Sequence, residues 1–354
     1  MSHFEVDYFE VGYFEVLSPG VHSLIQDQGR FGQGALGLTN GGPLDASSAH
    51  WANALVGNGA NALVGNSANA LVGNNPNASL IECSIGGLQL KVHCSSNLCV
   101  TGASLALTIN GKAKTLWQSH PVQAGDVIEL GMVSQGLRAY LAVAGGFQIA
   151  PHFGSTATVV REGIGGLNQN GAKLQPGDKL PLRASAPLAP RQFANAMQPD
   201  FDFSKGLSLR LVEGYQQPLF SSVARQRFYL NHYTVTPKAD RMGVKLSGPA
   251  IECTSQSLLS EGICYGAVQI PPDGQPIVLL NDRQTLGGYP KIGSVLSLDC
   301  WKLAQAPAGT VLSFEKIDPQ QAHNALLLAR AYDARLLAEI NSRCSSAGAD
   351  HDNT

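Results

Sequence analysis

ALVGNGAN, ALVGNSAN, ALVGNNPN: from Ala54 to Asn77 the chain writes nearly the same eight residues three times. The reading of this stretch decides the fold, because a true repeat would make the chain a solenoid of stacked units. A solenoid unit needs about 20 residues or more to build an element that packs on its neighbour. Eight residues could form one coil of a thin β-helix, but that architecture needs many coils, and its calcium-binding form needs aspartates at fixed places. There are three copies here, and no acid stands between Asp45 and Glu82. Each copy also carries Gly-Asn, which stops a helix and favours a turn. The octads therefore read as short duplications in a surface loop, one copy belonging to the fold and two carried as passengers. Loop-closure entropy grows slowly with length, so the two extra copies cost little. The N-terminus holds a shorter echo, FEVDY, FEVGY, FEVLS from Phe4 to Ser18, whose last FEV is expected to start the first strand.

With the repeats set aside, the chain reads as short β-rich runs between Gly, Pro, Asn and Asp: LQLKVHC, LALTI, DVIEL, AYLAVAGG, LSLRLVEG, PIVLLND and TVLSF. Regularly spaced short strands with turn signals point to barrels or sandwiches. Two helices interrupt the pattern. One runs from about Asp45 to Leu55 with Asp45 as N-cap, and the other opens at Asp318-Pro319, a cap followed by proline at the first helical position. The Pro- and Ala-rich stretch from Arg183 to Gly206 is the best linker. Short matches recur in the same order on its two sides: Arg30-Phe31-Gly32 with Arg241-Met242-Gly243, Ile81-Glu82-Cys83 with Ile251-Glu252-Cys253, Gly102-Ala103 with Gly266-Ala267, and Gly145-Gly146-Phe147 with Gly287-Gly288-Tyr289. The expected architecture is mainly β, with two tandem β-barrel units. An extension (1–15) precedes the first unit (16–190), which contains the octads (54–77). A linker (191–206), the second unit (207–317), a C-terminal helix (318–344) and a polar tail (345–354) follow.

The 354 residues suffice for two or three cores. A formal net charge of -2 provides no basic field for nucleic acid. No 18-residue apolar run marks a membrane span, and the N-terminus lacks the basic and apolar regions of a secretory signal. Seven cysteines, an odd number set in apolar runs, read as reduced thiols of a cytoplasmic protein. Cys94 and Cys99 are too far apart for a CxxC pair, and the nine histidines show no ligand spacing, so no metal site is expected.

Two polar, glycine-rich blocks remain for chemistry. The first is Gln26-Asp27-Gln28-Gly29-Arg30-Phe31-Gly32, followed by Asn40-Gly41-Gly42-Pro43-Leu44-Asp45. The second is SEGICYGAVQIPPDGQPIVLLNDRQTLGGYPKIG, from Ser260 to Gly293, in which PIVLL is a buried strand that delivers Asn281-Asp282-Arg283-Gln284-Thr285 to its end. Asp282, Gln284, Tyr289 and Lys291 crowd an acceptor, an amide, a phenol and a cation together. That set can polarise a carbonyl and shuttle a proton, and it makes these four the candidate catalytic residues. Gly287 and Gly288 would let a ligand approach the backbone, and Arg241 and Gln269 are expected nearby as substrate-binding residues. The bland alternative makes Asp282-Arg283 a solvated ion pair beside a turn. Asp27 and Arg30 are carried as substrate-binding candidates too, although an i,i+3 acid–base pair on a tight turn also suits a structural brace.

The blocks VLSPGVHSLIQDQGRFGQGALG, WANALVGN, YLAVAGGF, DRMGVKLSG, the long Ser260–Gly293 block and the PxGD turn at Pro176 resemble the carboxyltransferase-domain family, also called allophanate hydrolase subunit 2. The resemblance runs from about Val16 to Phe314. It implies cyclophilin-like β-barrels and partner chains, the A and B subunits of an ATP-dependent 5-oxoprolinase. Such a complex opens the lactam 5-oxoproline to L-glutamate using ATP with Mg shared among the subunits. A lactam carbonyl is a poor electrophile; phosphorylating its oxygen makes a leaving group that water can displace. The alternatives the family leaves open are a biotin-dependent carboxyltransferase module of urea-carboxylase type and a non-catalytic regulator of a kinase inhibitor. Ala196-Met197-Gln198 lacks the lysine of a biotin carrier, so no attached biotin is expected. The family usually writes GSRST where this chain has Gly154-Ser155-Thr156-Ala157-Thr158, so an arginine is missing or is replaced by Arg161.

Overall fold

The computed structural model of the chain describes residues 11–58, 78–194, 198–255 and 258–349. The FEV echoes before residue 11, octad residues 59–77 and residues 350–354 of the tail lie outside the described residues. The first unit holds β1 (Val11–Pro19), β2 (His22–Gln26), β3 (Leu80–Ser84), β4 (Leu88–Val92), β5 (Ser96–Ile109), β6 (Lys112–Lys114), β7 (Ser119–Val122), β8 (Val127–Val143) and β9 (Lys179–Arg183). They form one sheet in the order β2-β3-β8-β4-β1-β9, with β5 joined to β6, β7 and β8. The start of β8 pairs with β4 and its end with β3, while the register of β5 on β8 shifts between Gly102 and Leu107. Such irregularities bend a sheet, and this one curls into a half-barrel. Alternation sets its inner face: Leu88, Leu90 and Val92 of β4 are buried, whereas Gln89 and Lys91 point out.

The second unit comprises β10 (Leu207–Glu213), β11 (Tyr233–Ala239), β12 (Gly243–Ser247), β13 (Glu261–Gly262), β14 (Ala267–Gln269), β15 (Ile277–Leu279), β16 (Leu286–Gly287), β17 (Lys291–Val295) and β18 (Val311–Ile317). Seven of them close a barrel in the order β10-β17-β14-β15-β12-β11-β18, and β13 pairs with β16 as a separate ribbon. Phe228, in a helix at Ser222–Leu230, stacks on Phe314 of β18 at 4.3 Å and helps to fill the barrel. The mainly-β, two-unit architecture is thus as expected, with one unit closed and the other half-open. Among the sequence matches, Gly102 and Gly266 are equivalent. Both have positive φ (84° and 79°), and a Cβ on either would collide with the facing carbonyl oxygen, of Arg138 or Val295. Ile81-Glu82-Cys83 lies in β3, whereas Ile251-Glu252-Cys253 lies in no strand.

Among the described residues four α-helices complete the fold: α1 (Ala46–Leu55), α2 (Ser222–Leu230), α3 (Ser297–Gln305) and α4 (Pro319–Ala349). Asp45 caps α1 as expected, accepting from the Ser48 backbone N–H at 3.0 Å. Asp318 caps α4 reciprocally: Gln321 donates its N–H to Asp318 at 2.7 Å, and Gln321 Oε1 accepts the Asp318 N–H at 2.9 Å. α4 leaves the second unit and packs Leu336, Leu337 and Ile340 in one cluster with Trp51 and Trp117 of the first and Phe193 of the linker. No described helix is long and apolar enough to cross a membrane, and Cys83, Cys99, Cys253, Cys264 and Cys300 are free thiols.

The first octad is built into this core. Ala54, Leu55 and Val56 are buried. Asn58 donates to Asn53 Oδ1 and to the Val143 carbonyl, and accepts the Gly145 N–H, at 2.7 to 2.9 Å. Deleting residues 54–69 brings Ala70-Leu71-Val72-Gly73-Asn74, the same five residue types, into those places. A thermal melt of this deletion is expected to shift by no more than about 2 °C. A drop of roughly 5 °C or more would make the extra copies structural.

Candidate functional site: a cleft between the two units

The two polar blocks singled out in the sequence meet at the junction of the units. Gln26 holds the first block in shape, donating to the Thr158 carbonyl at 3.1 Å and accepting the Gly42 N–H at 3.1 Å. Leu44 of that block enters the core of the second unit. From the second unit Asn281 donates to the Gly41 and Pro43 carbonyls at 3.0 and 3.2 Å, and Arg283 donates to Asn40 Oδ1 at 3.2 Å.

Beneath this seam lies a buried ionic network. Arg241 grips Asp282 with two N–H groups, at 2.8 and 3.0 Å, and reaches Glu82 of β3 at 2.5 Å and the Gly42 carbonyl at 2.7 Å. The other oxygen of Glu82 accepts the Leu44 N–H at 2.9 Å and the Tyr140 hydroxyl at 3.0 Å. Burial works against the Arg241 charge, but Asp282 and Glu82 outweigh it and hold the guanidinium above its ordinary value. Burial likewise pushes the Glu82 carboxyl up; the Arg241 and Arg138 guanidiniums overcome that and leave it below its ordinary value. Gln305 of α3 adds a neutral tie, donating to Asp45 and accepting the Leu137 and Arg138 N–H groups, at 2.9 to 3.0 Å.

Above the network the seam opens into a cleft of about 700 Å³ whose walls come from both units and from α4. That is a size suited to small-molecule binding. Its wall is mainly apolar, with Asn40, Asn53, Asn281, Arg283, Arg330 and the edge of Asp27 as polar points. Arg283 is fixed by the carbonyls of Ile263 and Leu280, at 3.1 and 3.3 Å, besides Asn40. Burial pushes its guanidinium down from the ordinary value. Among the described residues no cluster of His, Cys, Asp and Glu could hold a metal ion.

The residues expected to carry chemistry fall into three places. Arg241 and Asp282 come together, but in the network, at 8% and 3% exposure. Gln269, Gln284, Gly287 and Lys291 gather on the outer face of the second barrel. Gln269 faces Lys291 across β14 and β17, and a Cβ on Gly287 would touch the amide nitrogens of both Gln269 and Gln284 at 3.1 Å. There Lys291 pairs with Glu261, which Tyr215 and Gln216 also engage. Gly288 packs against the Leu258 carbonyl, and Tyr289 is 41% exposed. Asp27 and Arg30 share the first block without pairing. Asp27 accepts from Ser155 Oγ at 2.5 Å and from the N–H groups of Thr156 and Gly29, and Arg30 donates to the Ala157 carbonyl at 2.7 Å. The Gly154–Thr158 block therefore cradles a carboxylate, and Arg161 pairs with its neighbour Glu162 at 2.7 Å.

Asn281 and Arg283 stood in the quoted block without a role. They sit at a turn rather than on an extended strand end: the Arg283 N–H bonds the Leu280 carbonyl at 3.3 Å, Asp282 is turned to Arg241, and Asn281 and Arg283 line the cleft. Arg330 had no local signal, since only the path of α4 brings it to the cleft.

Residues 63–316 match the family described as "Carboxyltransferase domain, subdomain A and B". The chain is 32% identical over 311 residues to the C subunit of 5-oxoprolinase from Escherichia coli (strain K12), a match covering 88% of this chain and 93% of that one. With the C subunit of the Haemophilus influenzae 5-oxoprolinase the identity is 31%, over 87% and 92%. With urea amidolyase of Lachancea kluyveri it is 28%, over 87% of this chain but 17% of that protein. Among solved structures, TTHA0988 superposes with a TM-score of 0.72 at 34% identity, over 87% of this chain and 56% of that one, so the chain spans little more than half its length. The K. lactis urea amidolyase shares the fold, with a TM-score of 0.78 at 24% identity over 90% of this chain. Fold, family match and near full-length relatives agree: the chain belongs to the carboxyltransferase-domain family.

Proposed function

We propose that the chain is one subunit of an ATP-dependent 5-oxoprolinase that hydrolyses the lactam 5-oxoproline to L-glutamate together with A- and B-type partner chains in the cytoplasm. The observation that carries this reading is the match in extent: the relatives named as C subunits of 5-oxoprolinase align over more than nine-tenths of their own length, whereas the urea amidolyase aligns over 17%. The cleft suits the chemistry. An arginine has five N–H donors. Arg283 commits three of them to fixed acceptors, which orients the remaining two toward an anion or a developing oxyanion. Arg330 is a second cation on the same wall, and no carboxylate pairs with it among the described residues. ATP, with its Mg, supplies the phosphoryl group that activates the lactam oxygen at a site shared with the partners. This chain's residues hold and orient the lactam acid and keep water off the remaining wall. Asp282 acts at one remove, by fixing Arg241 across the seam. Lys291, Gln269 and Gln284 form a second polar cluster on the outside of the barrel, with Gln269 and Lys291 buried there.

The experiment is glutamate release from 5-oxoproline and ATP by this chain co-expressed with its candidate A and B subunits. Turnover that requires all three chains is expected. An assembled complex without turnover would sink the reading, and urea-type carboxylation would be assayed in its place.

A further inference from the structure

The cleft also holds a group that can move a proton. Ala46, Ala49, His50 and Asn53 of α1 face it at helical spacing, and the His50 side chain stands open on its wall. Arg330 and Leu337 of α4 line it too, and Asp333 lies on the same stripe of that helix. Asp333 engages the Trp51 indole and is the charged neighbour of His50, whose ring packs edge-to-face with Trp51 at 5.5 Å between centroids. Asp27, His50, Tyr265, Arg283 and Arg330 are the ionisable side chains of the described wall. Arginine does not give up its proton in a protein. Asp27 has both oxygens engaged by Ser155, Thr156 and Gly29, and burial holds the Tyr265 phenol well above its ordinary value. His50 is left. Desolvation by the walls lowers its pKa from the ordinary 6.5, against the pull of Asp333, so near neutral pH the imidazole is a free base.

We propose that His50 is the proton-transfer residue of the lactam hydrolysis and that Asp333 is its positioning residue. This rests on the reading of the chain as a 5-oxoprolinase subunit. Once the lactam oxygen carries the phosphoryl group from ATP, a water attacks the ring carbon. The water oxygen supplies the electron pair of the new C–O bond, and His50 takes its proton. The ring C–N bond then breaks with its electron pair on nitrogen, and His50 returns the proton there. The new hydroxyl loses its remaining proton to solvent as the carbonyl forms. The opened chain is an acyl phosphate, which a second water cleaves to glutamate and phosphate.

The test measures 5-oxoproline turnover against pH with the full chain assembled with its candidate A and B subunits. Wild-type activity is expected to fall in acid as His50 takes up a proton. His50→Gln is expected to lower kcat at least about 100-fold, to leave KM for 5-oxoproline within about threefold, and to remove that acid limb. His50→Ala is expected to regain part of its rate with added imidazole, which a defect of folding would not allow. Asp333→Asn removes the anion that favours charged His50, while Asp27, Arg283 and Arg330 stay on the wall, so its acid limb should move to lower pH. A His50→Gln complex that keeps more than about a tenth of the wild-type kcat, or that keeps the acid limb, overturns the role of His50 and leaves the 5-oxoprolinase reading standing. An assembled wild-type complex without turnover overturns both.

Discussion

Arg241→Ala is expected to destabilise the folded chain by about 3–5 kcal/mol, read by denaturant unfolding near neutral pH. The size follows from what stays behind. Two buried carboxylates, Glu82 and Asp282, lose the guanidinium that both contact, and neither has water to replace it. The pair also spans the seam, Glu82 from the half-barrel and Asp282 from the closed barrel, so the loss falls on the contact that shapes the cleft. The triple variant Arg241→Met, Glu82→Gln, Asp282→Asn should recover much of the loss, because no buried charge is then unpaired. Burial holds the Asp282 carboxyl above its ordinary value, which opposes the pH dependence set by Glu82. The folded Glu82 carboxyl lies below the ordinary 4.5, so its stabilisation is full above that pH and is lost as pH falls through the lowered value. Through Glu82, the gap between wild type and Arg241→Ala should therefore narrow in acid. A gap under about 1 kcal/mol at neutral pH would show that the network is slack.

Arg283→Ala in the assembled complex is expected to lower kcat/KM for the lactam by about 100-fold or more, with the melting temperature changed little by comparison. Three of its donors serve only to hold the guanidinium in place, at Ile263, Leu280 and Asn40, and the group so held lines the cleft. Arg283→Lys should rescue little, because an ammonium cannot reproduce the planar fork. Lys291→Ala, measured beside it, decides between the two polar clusters. Lys291 is paired with Glu261 on the outer face of the barrel, so its loss should leave most of the turnover intact. Collapse with Lys291→Ala and tolerance of Arg283→Ala would move the reacting centre from the cleft to that outer face.

Local chemistry made much of this protein legible in its sequence. Asp45 and Asp318 announced their helices because a cap is a contact between neighbours in the chain. The β-rich runs announced strands because alternation shows in a few residues. Gly-Asn in every octad points to turns rather than stacking elements, and the first copy's Asn58 is hydrogen-bonded into the described fold. The polar blocks at 26–45 and 260–293 stood out by composition, and they are the two that meet at the cleft.

Tertiary structure decided which side chain of each block does what. Asp282 and Arg283 are adjacent in sequence, yet one is turned to Arg241 and the other to the cleft, because the turn closed by the Arg283 N–H on the Leu280 carbonyl sends their side chains different ways. Glu82 lies 159 residues from Arg241, and Arg330 reaches the cleft only through the path of α4. No local pattern encodes such meetings. Sequence determines the elements through interactions within a few residues, and the pairing of distant charges waits on how two barrels and a helix pack.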